Sequence, residues 1–204
     1  RGVSGIFGVD MVNNFNRPYG AHSIKEFWGR WHISLSTWLK DYIYIPLGGN
    51  RKGAFRKYIN IAITFIISGI WHGAGFRFLV WGMLHAIYQI VGSITTSFRK
   101  KVKSIINIKE GSFSERFYQV VITFSLVTFA WIFFRSDGTR AALVYIENMF
   151  DSFEPWVLFD GTLYTFGVSQ NAFTVLFINV VTMFIVEHRV KTQENGVLAV
   201  INSH

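Results

Sequence analysis

The fold is decided by the stretch KYINIAITFIISGIWHGAGFRFLVWGMLHAIYQIVGSITTSFR, which runs from Lys57 to Arg99. The 19 residues between Lys57 and Arg77 and the 21 residues between Arg77 and Arg99 include no Asp, Glu, Lys or Arg. Each run is close to the roughly 20 residues that an α-helix needs to cross the hydrocarbon layer of a bilayer. We therefore predict two transmembrane spans, 58–76 and 78–98, which form a helical hairpin with the letters WHGAG at its turn.

Two further uncharged stretches extend this pattern toward the carboxy terminus. Residues 117–134 are flanked by arginines, and residues 169–186 are followed by Glu187. We predict that both are transmembrane spans and that residues 135–168, between them, form an acidic external loop. Half of the 204 residues are hydrophobic and 16% are charged, whereas an ordinary soluble domain has about 25% charged residues. The predicted fold class is therefore all-α, in a polytopic integral membrane protein.

The net charge of +8 fits this topology better than it fits nucleic acid as a partner. Lys and Arg fall in two short clusters around the hairpin, as expected for loops that face the cytoplasm and an anionic leaflet. These residues are Arg51, Lys52, Arg56 and Lys57, then Arg99, Lys100, Lys101, Lys103 and Lys109. The loop 135–168 has acidic residues and no Lys or Arg after Arg140, so we predict that it is external. Four crossings return Arg189 and Lys191 to the cytoplasm.

The chain has no cysteine, which excludes a disulfide framework, a thiolate zinc site and a cysteine nucleophile. It starts at Arg1 without a methionine and without the basic, apolar and small-residue pattern of a signal peptide. We therefore expect further membrane segments upstream, so that this chain is the carboxy-terminal part of a longer protein. The histidines do not cluster with carboxylates along the sequence, and no metal site is predicted.

An amphipathic helix is predicted over residues 23–46, before the hairpin. Ser23 and Glu26 have the S-x-x-E spacing of a helix N-terminus. Apolar and aromatic residues then recur at helical spacing, with charged residues on the other faces. The helix is expected to stop before Pro46, because proline pushes the preceding residue out of the α region. Its tryptophans and tyrosines suit the interface between membrane and water.

His72 has the clearest functional setting. It lies 14 residues beyond Tyr58, which is about 21 Å along a helix and well inside a hydrocarbon layer of about 30 Å. Ionisable side chains at such depth are rare and by default indicate function. The flanking Gly69, Gly73 and Gly75 allow a substrate or another backbone to approach closely. On position alone, a neutral histidine that hydrogen-bonds a neighbouring helix explains His72 equally well.

The other histidines and nearby serines have weaker signals. His32 lies at the border of the amphipathic stripe, where its position indicates an interfacial residue. Ser34 and Ser36 lack the G-x-S-x-G elbow that would support a serine hydrolase. His85 follows Trp81 by four residues and is expected to pack.

The segment PLGGNRKG, residues 46–53, combines glycines with two cations on the predicted cytoplasmic face. Exposed backbone amides together with Arg51 and Lys52 could hold the phosphates of a thioester carrier. The segment does not have a Walker A sequence. A turn followed by cytoplasmic charges explains it at least as well.

Four blocks of the sequence resemble one family. They read NFNRPY at residues 14–19, EFWGRWHISLSTW at 26–38, DYIYIPLGGNR at 41–51 and SGIWHGAG at 68–75. They are similar to the membrane-bound O-acyltransferase family, in the bacterial branch with alginate O-acetyltransferase and the D-alanyl transferase of teichoic acid. The blocks cover about residues 13 to 88, and beyond residue 100 the chain resembles the family mainly in hydropathy. Gly29 stands where relatives often have an arginine.

The resemblance implies an enzyme in which His72 is the catalytic histidine and His32 the second functional position. We expect an acyl group, acetyl in the first instance, to pass from a thioester donor, acetyl-CoA or an acyl carrier protein, to a hydroxyl of a cell-surface or secreted polysaccharide. Transfer is direct or through an extracytoplasmic acetyltransferase partner, in a bacterial inner or plasma membrane. His72 would be the general base, with no bound cofactor. We assign substrate binding to Trp71, Gly73, Asn50 and Arg51.

Two alternatives remain open at this point. In a transporter or proton pathway, the same histidines and the hairpin glycines would line a conduit. In an accessory membrane scaffold, the aromatic residues would pack against partners and no histidine would take part in chemistry. Paired interrupted helices with further buried charges would be more typical of a transporter.

Overall fold

The computed structural model describes residues 6–9, 11–152, 154–165 and 169–201. The chain divides into two compact units, Arg1–Ile146 and Glu147–His204. Within the described ranges every regular element is a helix, and extended pairing is limited to an isolated bridge between Phe15 and Trp31. The all-α prediction is therefore confirmed for the described part of the chain.

The described residues form eight α-helices, a π-helical turn and short 3-10 turns. The α-helices are α1 (Ile24–Arg30), α2 (Ile33–Leu39), α3 (Gly53–Trp71), α4 (Phe76–Ile94), α5 (Thr96–Ile105), α6 (Phe113–Arg135), α7 (Thr139–Asp151) and α8 (Gln170–Ile201). The π-helical turn, Lys40–Tyr44, continues directly from α2.

The single helix predicted over residues 23–46 is wrong, because the structure interrupts it at His32. Ser23 caps α1 as predicted, with its side chain accepting from the backbone N–H of Glu26 at 3.1 Å. His32 then adopts a left-handed conformation with φ 46° and ψ 55°, which ends one helix and redirects the next. The spacing of apolar residues continues across this break, so a pattern of side chains alone does not reveal it.

Backbone hydrogen bonds from the segment just before α1 stabilise the break between α1 and α2. The N–H of Asn16 donates to the carbonyl of Arg30 at 2.9 Å, and the N–H of Ile33 donates to the carbonyl of Asn14 at 3.0 Å. Both bonds use backbone groups at helix ends, where no partner within the helix is available. The NFNRPY block therefore fixes the angle between α1 and α2.

Helices α3 and α4 form the predicted hairpin, with WHGAG between them. They approach most closely at Gly69 and Gly82. A Cβ atom added at Gly82 would lie less than 3.0 Å from the carbonyl oxygen of Phe65, and one at Gly69 would be equally close to that of Phe78. Small residues that allow such backbone approach are typical of helix pairs in membranes.

The buried core of the first unit lies where α1, α4 and α6 meet. Phe27 and Trp28 come from α1, Trp81 from α4, and Val127 and Phe133 from α6. Aromatic rings dominate this core, and edge-to-face pairs such as Trp28 with Trp81 pack them together. The core thereby fixes the end of the hairpin that carries His72.

Helix length and composition identify fewer candidate membrane spans than a count of uncharged runs in the sequence does. Among the described helices, α6 alone is long and apolar enough to cross a membrane by itself. Helices α4 and α5 qualify together, although they are bent by 55° at their junction, and the apolar part of α8, Gln170–Val186, is shorter. The four-span topology therefore stays a prediction.

The predicted external loop 135–168 contains helical structure. It includes α7 and the 3-10 turns Pro155–Leu158 and Thr162–Thr165, while residues 153 and 166–168 lie outside the described residues. Helix α7 begins three residues after Ser136, the C-cap of α6. The segment is thus more regular than a loop.

Candidate active site

His72 lies at the C-terminal end of α3, inside an aromatic enclosure. Its backbone N–H donates to the carbonyl of Gly69 at 3.1 Å and so closes the helix. The imidazole centroid is 4.8 Å from the ring of Trp71, 4.9 Å from Phe134 and 5.1 Å from Trp81. No described residue makes a hydrogen bond with the His72 imidazole, so its nitrogens are free to bind a substrate.

Gly73 makes this position of His72 possible. It has φ +147°, a conformation that side chains rarely adopt, and a Cβ there would lie within 3.0 Å of the Phe78 ring. The ring of Phe78 in turn packs 5.1 Å from that of Phe134. The chain therefore turns immediately after the catalytic candidate, and the turn leaves room for an aromatic wall.

His32 lies near the same enclosure despite being 40 residues earlier in the sequence. Its ring centroid is 6.5 Å from that of Trp71, whose other neighbour is His72. The Nδ1 atom of His32 is buried and has no partner among the described residues. A histidine with positive φ is uncommon, and strained backbone is concentrated at functional sites. The structure thus brings His72, His32 and Trp71 together.

Asn14 supports His32, and the sequence reasoning assigned it no role. Its side-chain oxygen accepts from the N–H of Ser34 at 2.9 Å and from the Ser34 hydroxyl at 2.6 Å. The first of these bonds gives the backbone N–H of Ser34, in the first turn of α2, an acceptor that the helix itself does not provide. The sequence signal that could have indicated a role for Asn14 is the NFNRPY block, because Asn14 is its first residue.

Asn50 and Arg51 lie at the far end of α3 from His72. The 19 residues of α3 correspond to a length of about 28 Å, so these two side chains do not share a pocket with the histidines. Both are exposed to solvent. The structure therefore separates the proposed phosphate-binding segment from the catalytic candidate, while Trp71 and Gly73 remain beside it.

The glycine-rich segment is nevertheless ordered by buried contacts. The side-chain amide of Asn60, itself 0% exposed, donates to the carbonyl of Gly49 at 2.9 Å and to that of Leu47 at 3.3 Å. Gly49 lies against the Tyr44 ring and has φ +55°, a left-handed conformation that glycine adopts without strain because it has no Cβ. Burial raises the pKa of the Tyr44 phenol above its usual value. The exposed cation of Arg51 is thus presented on a fixed backbone.

Replacing Asn60 with leucine is expected to loosen this segment, because the carbonyls of Leu47 and Gly49 lose their donor. Leaving buried acceptors without a partner costs about 1–3 kcal/mol, so hydrogen exchange of the amides in residues 47–51 should accelerate by about tenfold. Ser68→Ala is the matched control, since Ser68 is a buried polar residue of the same helix that does not contact the segment. Equal exchange rates in the two variants would contradict the anchoring role of Asn60.

His85 is part of the packing around the site, as its position in the sequence indicated. It is 0% exposed, and its Nδ1 accepts from the indole N–H of Trp28 at 3.2 Å. Its ring lies 5.0 Å from that of Trp81, which itself contacts His72. His85 therefore supports the wall of the enclosure without lining it.

Metal binding finds no support in the described residues, where no three His, Asp or Glu side chains come close enough to hold an ion. The fold is helical and places His72 at the turn of a hairpin, where its imidazole has no hydrogen-bond partner among the described residues. Aromatic rings surround that imidazole, and one of them comes from a helix that is apolar enough to cross a membrane. The chain belongs to the membrane-bound O-acyltransferase family, whose sequence model matches residues 2–135. Membership confirms the resemblance read from the four blocks and the association with membranes.

Relatives within this family act on different polymers according to their names. The chain is 40% identical over 158 residues to the probable alginate O-acetylase of Pseudomonas aeruginosa, covering 77% of this chain and 28% of that protein. It is 38% identical over 152 residues to the peptidoglycan O-acetyltransferase of Helicobacter pylori, covering 72% and 27%. It is 29% identical over 140 residues to the teichoic acid D-alanyltransferase of Bacillus subtilis, covering 65% and 34%. The matched part of the chain spans between about a quarter and a third of the length of these relatives.

Proposed function

We propose that this protein is a membrane-bound O-acyltransferase that moves a short acyl group, acetyl in the first instance, from a thioester donor to a hydroxyl of a cell-surface or secreted polysaccharide. The observation that carries this proposal is the His72 imidazole, which has no hydrogen-bond partner among the described residues and faces the aromatic enclosure at the turn of the hairpin. The names of the relatives support acetyl over D-alanyl transfer, since the acetylating relatives are the more similar in sequence.

In the proposed reaction His72 is a general base. The neutral imidazole accepts the proton of the acceptor hydroxyl while the hydroxyl oxygen attacks the thioester carbonyl carbon. The tetrahedral intermediate then collapses, the carbon–sulfur bond breaks, and the imidazolium returns the proton to the departing thiolate. The products are an ester and a free thiol, so the reaction balances without any bound cofactor.

The neighbouring residues hold the reactants in this scheme. Trp71 and Gly73 form the surface against which the thioester lies, and His32 orients it across the Trp71 ring. Asn50 and Arg51 bind phosphates of the donor, acetyl-CoA or an acyl carrier protein, about 28 Å away at the other end of α3. A donor that reaches both places must be extended, which fits a thioester on a long flexible arm.

The proposed setting is the inner or plasma membrane of a bacterium, with several membrane crossings. We assign the crossings to 58–76, 78–98, 117–134 and 169–186, with the donor on the cytoplasmic side. The acceptor lies on the other side, and an extracytoplasmic acetyltransferase partner protein takes the acyl group where transfer is not direct. The acyl group therefore crosses the membrane during transfer.

The test is acyl transfer from a labelled thioester in membranes that contain the full-length protein. Labelled acetyl-CoA or labelled acetyl-loaded acyl carrier protein is supplied outside sealed inside-out vesicles that enclose a polysaccharide acceptor, and ester formation is measured together with proton and solute flux. Ester that depends on the protein supports the enzyme. Flux without donor consumption would instead favour a transporter or proton pathway, with a conduit lined by His72 and His85, both of which pack against Trp81.

A further inference from the structure

Helix α5 is amphipathic, and within the described residues its apolar stripe is exposed at both ends and half-buried in the middle. Phe98, Val102 and Ile105 follow one another at i, i+4 and i+7, the spacing of a single helix face. The side chains of Phe98 and Ile105 are 68% and 70% exposed. Contiguous exposed apolar side chains usually mark a surface that contacts a membrane or another protein.

Cations flank that stripe. Lys101 is exposed on one flank and Lys100 on the opposite face of the helix, and neither side chain forms a hydrogen bond or an ion pair with any described residue. Arg99 lies on the other flank and donates to the carbonyl of Gly92 at 2.6 Å, while remaining exposed. An apolar stripe bordered by Lys and Arg is the pattern of helices that lie in the plane of a membrane surface.

The direction of α5 is set by a bend at its junction with α4. The hydroxyl of Thr95 donates to the carbonyl of Val91 at 2.7 Å, and that of Thr96 donates to the carbonyl of Gly92 at 2.8 Å. Hydroxyls that hydrogen-bond back to the preceding turn are known to bend helices. The angle between α4 and α5 is 55°, so α5 leaves the axis of the hairpin.

The other end of α5 is tied to the start of α6. Lys103 forms an ion pair with Glu115, which also accepts from the N–H of Gly111 at 2.6 Å and from Gln119 at 3.1 Å. Glu115 is in the first turn of α6, the helix that is apolar enough to cross a membrane. The ion pair therefore holds α5 at the polar end of that helix, where a bilayer would present its headgroups.

From this placement we propose that α5 is an interfacial helix that binds anionic phospholipids, with Phe98, Val102 and Ile105 in the acyl boundary and Arg99 and Lys101 against the phosphates. Charge complementarity favours a lipid leaflet as the occupant, because the cations border the stripe on both sides and anionic headgroups surround a helix lying in this plane. A lipid-binding helix is a property of the membrane form of the protein and does not depend on acyl transfer.

Depth measurements on the full-length protein in vesicles of phosphatidylethanolamine and phosphatidylglycerol test the apolar face. A nitroxide is attached to single cysteines introduced by Phe98→Cys, Val102→Cys, Ile105→Cys and Lys100→Cys, a design helped by the absence of cysteine from this chain. We expect labels at the three apolar positions to be accessible to oxygen and shielded from a water-soluble nickel chelate, and the label at residue 100 to show the reverse. Apolar positions shielded from both reagents would show that protein covers α5, and this would overturn the proposal.

The headgroup contacts are tested by the double variant Arg99→Gln, Lys101→Gln. A fluorophore at residue 98 is quenched by brominated phosphatidylglycerol or by brominated phosphatidylcholine, and the ratio of the two reports lipid preference beside α5. The preference for phosphatidylglycerol is expected to fall by about tenfold at low salt in the double variant. The control is the double variant Lys25→Gln, Lys40→Gln, which removes two exposed cations outside α5 and should retain the preference for phosphatidylglycerol. No preference in the wild type, or an unchanged one in the Arg99→Gln, Lys101→Gln variant, would overturn the proposal.

Discussion

Replacing His72 with alanine is expected to lower acyl transfer by about 10²- to 10⁴-fold, the usual contribution of a general base. The proposed reaction needs an acceptor for the hydroxyl proton, and the rings in direct contact with the His72 imidazole are phenyl rings or the indoles of Trp71 and Trp81, which only donate. No second base among the described ring neighbours of His72 can take over. The measurement is ester formation from a labelled thioester in membranes with matched amounts of wild-type and variant full-length protein.

The control for this experiment is His22→Ala. His22 donates its backbone N–H to Glu26 at 2.8 Å and lies before α1, away from the aromatic enclosure. Its replacement should leave transfer close to the wild-type rate, while both variants insert into the membrane in equal amounts. Full transfer by the His72 variant would remove the general base from the mechanism, even if the protein is an acyltransferase.

His72 could be predicted from the sequence because two local signals coincide there. Uncharged runs on either side of Arg77 indicate a helical hairpin, and the letters WHGAG place an ionisable residue among glycines at its turn. Both signals depend on neighbours in the sequence. The structure keeps this geometry and adds the aromatic rings, of which Trp81 and Phe134 come from later helices.

The approach of His32 to His72 could not be predicted in the same way. It depends on a left-handed residue that is not glycine and on backbone bonds from Asn14 and Asn16 to the break. Hydrophobic periodicity records which face a side chain occupies and carries no information on a single positive φ angle. Only the family resemblance had indicated that His32 is more than an interfacial residue.

The helix boundaries could be predicted less well, because counting uncharged residues ignores where a helix begins. Helix α3 starts at Gly53 and so includes Arg56 and Lys57 before its apolar part. Helix α7 was overlooked because its sequence mixes charged and apolar residues, although Ala and Leu within it favour a helix. Whether a segment forms a helix and whether that helix crosses a membrane are thus separate questions. The length and composition of a segment bear only on the second.

Replacing Gly82 with alanine is expected to destabilise the hairpin by about 1–3 kcal/mol or more, because the added methyl group collides with a rigid backbone. The Cβ would lie under 3.0 Å from the Phe65 carbonyl oxygen, and Gly69 faces the same crossing point at 3.5 Å. A backbone carbonyl within a helix cannot rotate away as a side chain can. Separating α3 from α4 would move Trp81 away from His72, so that catalysis should fall together with stability.

Gly92→Ala is the matched control for this prediction, since it makes the same change in the same helix. A Cβ at Gly92 would have no neighbour within 4 Å, and alanine favours a helix over glycine by roughly 0.5–1 kcal/mol. The Gly92 variant should therefore be at least as stable as the wild type. Thermal unfolding of the purified full-length proteins in detergent measures the difference. If the two variants unfold at the same temperature, the α3–α4 crossing is not held by direct backbone contact, and the enclosure around His72 must depend on the α1 and α6 side chains instead.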